Sequence, residues 1–329
     1  MAPDNANSPG TAPGNADLAE TAPDSIKPSG RAPGYYSAEY EGKDANGASF
    51  LVCGTNGRLD RIYADGTVEN IPLPVSGRDL TQVLISPDIT LVSGFSGALV
   101  YSRDGKSFIP CDGVGNSDIL CITVFRDKYY ASTGDGGILI SADGVSWSVG
   151  AQLTDKPIIA VAADDICIMA VTGDTDIFIS EDGENWEMQN YNEIYYGLSI
   201  ELAFLNLVNL QDIFFLIGYP LEEPDVPNVM LSHSGGEVWS TLMSREINNR
   251  PPSDFYPLAV NAVRHFGGAL LAACDQGRIL AYTDCPTCNT ITEVTSSDLR
   301  AIAVSDDRVL VVGDDFEFKI LSAEDLPQI

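Results

Sequence analysis

Three groups of residues in this 329-residue chain have types and spacings that invite chemistry. Cys285-Pro286-Thr287-Cys288 has the spacing of half a zinc site or of a redox pair. Gly173-Asp174-Thr175-Asp176 and Gly313-Asp314-Asp315 are acidic runs able to contribute to a cation site. The third group is a repeated Ser-x-Asp-Gly signature that ends on an aromatic residue. Its clearest copies run Ser102 to Phe108, Ser141 to Trp147 and Ser180 to Trp186, with Asp104, Asp143 and Asp182 at their centres.

The first two groups do not complete a site. The histidines are His233 and His265, and no second cysteine pair accompanies Cys285 and Cys288. A redox cysteine would want a helix N-terminus, which a turn between strands does not supply. A local disulfide or two idle thiols is the expectation there. Calcium takes about six to eight oxygens, more than either acidic run offers, so solvated turn aspartates are expected. No metal and no cofactor is expected. Of the other cysteines, Cys53, Cys121, Cys167 and Cys274 fall inside predicted strands and Cys111 just beyond one. There, cysteine acts as a small reduced hydrophobe.

The third group is different because it keeps time. Its first serines stand at 102, 141 and 180, 39 residues apart. A worn copy, Tyr63-Ala64-Asp65-Gly66, stands 39 residues earlier. Later copies are Ser232 to Trp239, Tyr282-Thr283-Asp284 and Ser322 to Asp325. Seven repeats of about 40 residues, each with several short strands, predict an all-β, seven-bladed β-propeller with four-stranded antiparallel blades. In the second repeat Leu80 to Ile85 is inner strand A, Ile89 to Ser93 is B and Ala98 to Tyr101 is C. The signature makes the C–D turn, and Phe108-Ile109 opens D. Strands A and B recur as Ile119 to Phe125 with Tyr129 to Ser132, Ile158 to Ala162 with Cys167 to Thr172, and Leu202 to Val208 with Ile213 to Ile217. Two more pairs are Ala259 to Val263 with Leu270 to Cys274, and Ile302 to Val304 with Val309 to Val312. Their continuous apolar character fits strands buried on both faces.

Ser-x-Asp-Gly-x-x-Trp resembles the Asp-box, a repeat of sialidases and of many unrelated β-propellers. The reason is local: the carboxylate accepts turn amides, Gly takes a backbone angle other residues resist, and the aromatic packs between sheets. Asp104, Asp143, Asp182, Trp147, Trp186 and Trp239 are therefore assigned structural roles. The resemblance also raises the sialidase chemistry: three converging arginines, a Tyr activated by Glu and an Asp acid/base, on six blades. Here the repeats number seven. Arg78 and Arg300 precede inner strands while Arg126 and Arg264 follow them, which sets the two pairs on opposite faces of the disc. No phosphate loop, nucleophile elbow or zinc-protease helix occurs, and the expectation is a protein that is not an enzyme. Seven blades with such turns also resemble the photosystem II assembly-factor propellers, in architecture alone.

Charge narrows the partners. Eighteen basic against 47 acidic residues give −29, which repels phosphate backbones and anionic membranes. Nucleic acid and membrane insertion are not expected, and no apolar run reaches the ~18 residues a span requires. The N-terminus shows no signal-peptide pattern, so either the chain is not exported by that route or its first residue is a mature end. Residues 1–34, with recurring Ala-Pro-Asp and Ala-Pro-Gly, read as an extended arm, and residues 35–329 as the propeller. The seventh blade is nearly out of chain at its D position, so the arm near Ser25 to Lys27 is expected to lie along it and cover the open edge.

The departures from the 39-residue spacing point to a surface. Intervals of 52 and 50 follow Ser180 and Ser232. The extra residues fall in Met188 to Ser199, Tyr219 to Val229 and Ser240 to Pro257, all in D–A or B–C connections of blades four to six. Antiparallel geometry puts all three on one face. They carry Tyr191, Tyr195, Tyr196, Tyr219, Phe255, Tyr256, Arg245 and Arg250 beside Glu222, Glu223 and Asp225. Long loops on a rigid scaffold concentrate function, and aromatic and Arg residues are favoured anchors. The reading is a non-catalytic module, a structural or docking subunit of a virion, tail or cell-surface machine. Its partners are other protein subunits. A glycan-binding or sialidase-like surface propeller is the alternative.

Overall fold

The computed structural model describes residues 32–44, 47–75, 77–174, 176–190, 202–220, 228–232, 235, 239–243, 259–282 and 290–326. Its strands group into seven antiparallel sheets that follow one another along the chain. Blade one is β1 (Tyr35–Asp44), β2 (Gly47–Gly54), β3 (Leu59–Tyr63) and β4 (Val68–Asn70). Blade two is β5 (Leu80–Ile85), β6 (Thr90–Gly94), β7 (Ala98–Ser102) and β8 (Ile109–Pro110). Blade three is β9 (Ile119–Phe125), β10 (Lys128–Thr133), β11 (Gly137–Ser141) and β12 (Ser148–Gln152). Blade four is β13 (Ile158–Ala163), β14 (Ile168–Thr172), β15 (Asp176–Ser180) and β16 (Glu187–Asn190). Blade five is β17 (Leu202–Leu210), β18 (Ile213–Pro220), β19 (Asn228–Ser232) and β20 (Ser240–Met243). Blade six is β21 (Val260–Phe266), β22 (Ala269–Cys274), β23 (Arg278–Tyr282) and β24 (Thr290–Glu293). Blade seven is β25 (Leu299–Val304), β26 (Val309–Gly313) and β27 (Phe318–Leu321).

No sheet closes on itself; packing closes the ring. One apolar core lies between each consecutive pair of sheets, as Trp147, Leu139 and Ile122 of blade three meet Ile89, Leu91 and Leu99 of blade two. The last core joins the two ends of the chain, with Tyr35, Phe50 and Ile62 of blade one against Ala303, Leu310 and Val312 of blade seven. Second strands are buried along their length, β6, β14, β22 and β26 throughout, because both of their faces meet a neighbouring blade. Tight two-residue turns at Arg126-Asp127, Gln211-Asp212 and Gly267-Gly268, with positive φ at both positions, join the first two strands of blades three, five and six.

The signature turns work through their carboxylates. Asp104 Oδ1 accepts the Lys106 and Ser107 amides at 2.8 and 2.7 Å. Asp143 Oδ1 accepts those of Val145 and Ser146, both at 2.8 Å, and Asp182 Oδ1 those of Glu184 and Asn185 at 2.8 and 2.7 Å. The serines donate to the same carboxylates at 3.0, 3.0 and 3.1 Å. Trp147 and Trp239 are each 5% exposed, in the cores between blades two and three and between blades four and five. Trp186 packs, half-buried, against the core between blades three and four.

Several expectations need correction. Blade seven has three strands among the described residues, not four. Cys167 lies just ahead of β14, since the strand begins only after the Asp164 carboxylate has taken the Ile166 and Cys167 amides. Arg300 and Arg264 lie inside inner strands β25 and β21, not before and after them. The blade-five insertion partly lengthens the β17–β18 ladder, which continues to Ala203↔Tyr219 and Leu202↔Pro220. Tyr219 is therefore a strand residue, because regular pairing satisfies its backbone better than an irregular loop would.

Candidate functional site

The seven inner strands surround a central cavity of about 470 Å³. Each carries the same irregularity near its start: the second residue of β1, β5, β9, β13, β21 and β25, and the fourth of the longer β17, is skipped in the pairing with the next strand. A skipped residue cannot join the ladder, and the local bend re-aims its side chain. The skipped residues are Tyr36, Thr81, Leu120, Ile159, Leu205, Asn261 and Arg300, and all seven line the cavity. They form a ring at the end where the inner strands begin. The D–A and B–C connections emerge on this top face.

The ring has two halves. Its polar members are occupied by structural bonds. Thr81 Oγ1 donates to Ile119 O at 2.7 Å, and Asn261 Nδ2 donates to Leu299 O at 2.7 Å and to Asp275 Oδ1 at 2.9 Å. The Tyr36 hydroxyl donates to Ala32 O. Arg300 reaches Asp314 at 2.7 and 3.1 Å, Asp298 at 3.1 Å and Asp275 at 3.4 Å. Burial works against the Arg300 charge, but the hydrogen bonds to Asp314 and the charges of Asp314, Asp275 and Asp298 outweigh it and hold its pKa above the usual value. Burial also raises the Asp275 carboxyl. The other half is a crescent of Leu120, Ile159 and Leu205 on consecutive blades three, four and five, each half-buried.

Further cross-links hold the inner wall. The Gln82 amide side chain donates to Ile122 O at 3.1 Å and accepts the Ile122 amide. Ser37 Oγ accepts the Val83 amide at 3.1 Å. At the far end of the cavity Arg264 Nη2 reaches past blade seven to Glu39 Oε1 at 2.9 Å. Outside the ring, three aspartates that immediately precede inner strands fasten neighbouring blades. Asp79, Asp118 and Asp298 accept the amides of Asn56, Ser96 and Gln276, at 2.8, 2.7 and 2.7 Å. Sequence reasoning missed both devices. The aspartates had a signal, an Asp followed by an apolar strand start in Asp79-Leu80, Asp118-Ile119 and Asp298-Leu299. The ring had none beyond position.

Arg300 and Arg264 are each committed to carboxylates of this chain and stand at different depths of the cavity. Asp174 and Asp176 pair with Lys156 Nζ, both at 3.2 Å, and Asp314 with Arg300. Among the described residues no group of three or more His, Cys, Asp or Glu side chains is arranged to hold a metal ion. No helix of the described residues is long and apolar enough to cross a membrane. Of the residues expected to bind a partner, Tyr191, Tyr195, Tyr196, Glu222, Arg245, Arg250, Phe255 and Tyr256 lie outside the described residues, as do Cys285 and Cys288. In the sequence they follow β16, β18 and β20, strands that end at the top face.

No family model matches this chain, and no curated protein matches it. Solved structures do. YCF48 from Cyanidioschyzon merolae has a TM-score of 0.65 at 15% identity, over 90% of this chain and 97% of that one. YCF48 bound to D1 peptide has a TM-score of 0.66 at 16% identity, over 88% and 92%. The extracellular domain of the putative one component system BT4673 from B. thetaiotaomicron has 0.65 at 11%, over 88% of this chain and 38% of that one. At such identities the likeness is one of fold.

Proposed function

We propose that this chain is a non-catalytic interaction propeller that holds a protein partner on its top face, as a docking subunit of a larger assembly such as a virion, a tail or a cell-surface machine. One observation carries the reading. In the ring of skipped residues, every polar member is spent on structure, while Leu120, Ile159 and Leu205 face the cavity as a continuous apolar crescent. Three half-exposed aliphatic side chains on a rigid wall suit an apolar anchor from another chain. A net charge of −29 favours an anchor flanked by Lys or Arg. A structural neighbour bound to a peptide supports a partner of this kind, and the long connections of blades four to six would extend the same surface.

The glycan reading is the weaker one here, because Arg300 and Arg264 already share carboxylates of the chain and do not converge. A random peptide library and a glycan array, each probed with the wild-type protein and with Ile159→Asp, separate the two. The proposal expects enriched peptides with an apolar residue beside basic ones, and their loss in the variant. Glycan binding without peptide enrichment, or enrichment indifferent to Ile159, overturns it.

A further inference from the structure

Consecutive blades are joined by the chain itself, so six of the seven joints of the ring have a connection running across them. The joint between blades seven and one has none and brings the two ends of the chain together. Ser25 to Lys27, expected along blade seven, lie outside the described residues. Among the described residues, a stack of aromatic and cationic side chains closes the top of this joint, and it begins in a turn. Asp315 and Phe316 are the central residues of a tight turn between β26 and β27, closed by the Glu317 amide on Asp314 O at 3.1 Å, with φ of +57° and +58°. Blades one, two and six place Asn56-Gly57, Ser96-Gly97 and Gln276-Gly277 there, all at positive φ. Glycine suits the second position by conformation. In blades two and six it suits it by space as well, since a Cβ would meet Gly115 O at 2.3 Å and Thr295 O at 2.0 Å. In blade seven the position is Phe316. A bulky side chain in the left-handed region is an outlier, held there by what its ring touches.

The Phe316 ring stands edge-on to Tyr35, the first residue of β1, with centroids 5.1 Å apart and planes at 83°. Arg58 Cζ lies 4.4 Å from the centre of the Phe316 ring and 5.4 Å from that of Tyr35. Arg58 is the last residue of blade one's own turn, its amide donating to Thr55 O at 3.2 Å. Its Nε donates to Asp60 Oδ2 at 2.6 Å. The Asp60 side chain is 0% exposed, and it also accepts the Tyr35 hydroxyl and Asn70 Nδ2, the latter at 2.7 Å. Arg58, by contrast, is 40% exposed. Phe316 therefore covers one face of the cation that neutralises a fully buried carboxylate. A buried charge that loses its counter-ion is strongly destabilising, so blade seven shelters an ion pair on which blade one depends.

We infer that Phe316, Arg58 and Tyr35 form the latch of the ring, which closes last in folding and opens first in unfolding. No other joint spans so much chain, so none costs more loop-closure entropy before its contacts reward it. The latch also bears on the cavity. Tyr36 follows Tyr35 directly, and Arg300 is held by Asp314 at 2.7 Å, at the start of the Phe316 turn. These two ring members stand on either side of the joint, and the cavity keeps its shape only while the latch is shut. The crescent lies across the ring, on blades three to five.

Stopped-flow unfolding and refolding in urea, followed by tryptophan fluorescence, test this with Phe316→Ala. Alanine keeps a Cβ in the left-handed region and removes the ring alone. Unfolding is expected roughly tenfold faster. Refolding should stay within about twofold of wild type, because contacts absent from the transition state act on unfolding. Phe316→Tyr, which keeps the ring, should unfold at the wild-type rate, and Phe316→Gly, which loses both ring and strain, at a rate between the two. Hydrogen–deuterium exchange gives a local reading in the native state. The Asp315 amide, bonded to Pro33 O at 2.6 Å across the joint, should exchange roughly tenfold faster in Phe316→Ala. The Ser96 amide, bonded to Asp118 at the joint of blades two and three, should exchange as in the wild type. Wild-type unfolding in Phe316→Ala, refolding slowed as much as unfolding is hastened, or equal acceleration of both amides overturns the inference.

Discussion

Gly183→Ala should damage the ring far more than the same change in the same signature one blade earlier. Gly183 and Gly144 have φ of +77° and +72°, so both substitutions force alanine into the left-handed region at about 1–2 kcal/mol. Lower entropy of the unfolded chain returns about 0.4–1 kcal/mol in each case. Surroundings then separate them. A Cβ on Gly144 meets Ile89 Cδ1 at 3.1 Å, a methyl that yields by a few tenths of an ångström. A Cβ on Gly183 falls 2.1 Å from the Tyr130 hydroxyl and 2.7 Å from its Cζ. Tyr130 is 1% exposed, packed in the core between blades three and four, and has nowhere to swing. Overpacking of this sort adds about 1–3 kcal/mol. Gly144→Ala should therefore cost about 1 kcal/mol and Gly183→Ala about 2–4 kcal/mol, read as shifts of the urea denaturation midpoint by tryptophan fluorescence. Tyr130→Phe removes the nearest atom, so combining it with Gly183→Ala should cost less than the sum of the two single changes. Equal midpoints for the two alanine variants, or strict additivity with Tyr130→Phe, would refute the reasoning.

Acid should unfold the protein through its signature turns. Backbone amides of Ser107 and Lys106 lower the Asp104 carboxyl from 3.8 to about 2. Amides of Ser146 and Val145 lower Asp143, and the Asn185 backbone and side chain lower Asp182. With folded values below unfolded ones, this stabilisation is present above the unfolded value of 3.8 and is lost as pH falls through the lower folded values, for Asp104 about 2. Changing all three to Asn should flatten that part of the stability profile; an unchanged acid slope would count against the turn assignment. Burial pushes the Cys121 thiol up to about 11, and those of Cys111, Cys167 and Cys274 to about 12. With Cys53 fully buried as well, five of the seven thiols should resist a thiol reagent at neutral pH. Three or more fast-reacting thiols in the native protein would contradict that burial. Asp118→Ala removes the acceptor of the Ser96 amide and should destabilise the protein by about 1–2 kcal/mol without altering binding at the crescent; a loss of binding would tie that fastening to the site.

The repeat was legible because its causes are local. An Asp-Gly turn needs the same residues wherever it occurs, and a strand buried on both faces must be apolar, so inner strands showed within one to three residues of their ends. The cavity ring was illegible because nothing local sets it. Tyr36, Thr81, Leu120, Ile159, Leu205, Asn261 and Arg300 share no side-chain type. They share a place in a ladder, which exists only after two strands pair. The arginines show the same limit. Arg300 and Arg264 lie inside their inner strands rather than before and after them, and their commitment to Asp275, Asp298, Asp314 and Glu39 depends on carboxylates up to 225 positions away along the chain. Tyr219 marks a third case, in which an insertion first lengthened a hairpin before leaving it.

The most direct test of the binding account is the dissociation constant, by titration calorimetry, of a library-selected peptide with the wild type, Ile159→Asp and Val149→Asp. Ile159 lies in the crescent. Val149, 73% exposed on outer strand β12, serves as the control. An apolar anchor buried against the crescent contributes about 1.5–3 kcal/mol, so Ile159→Asp should weaken binding roughly ten- to a hundredfold at a temperature where its circular dichroism shows the variant folded, with Val149→Asp indistinguishable from wild type. Undiminished affinity in Ile159→Asp, or a loss confined to Val149→Asp, would place the partner elsewhere on the disc and contradict the account.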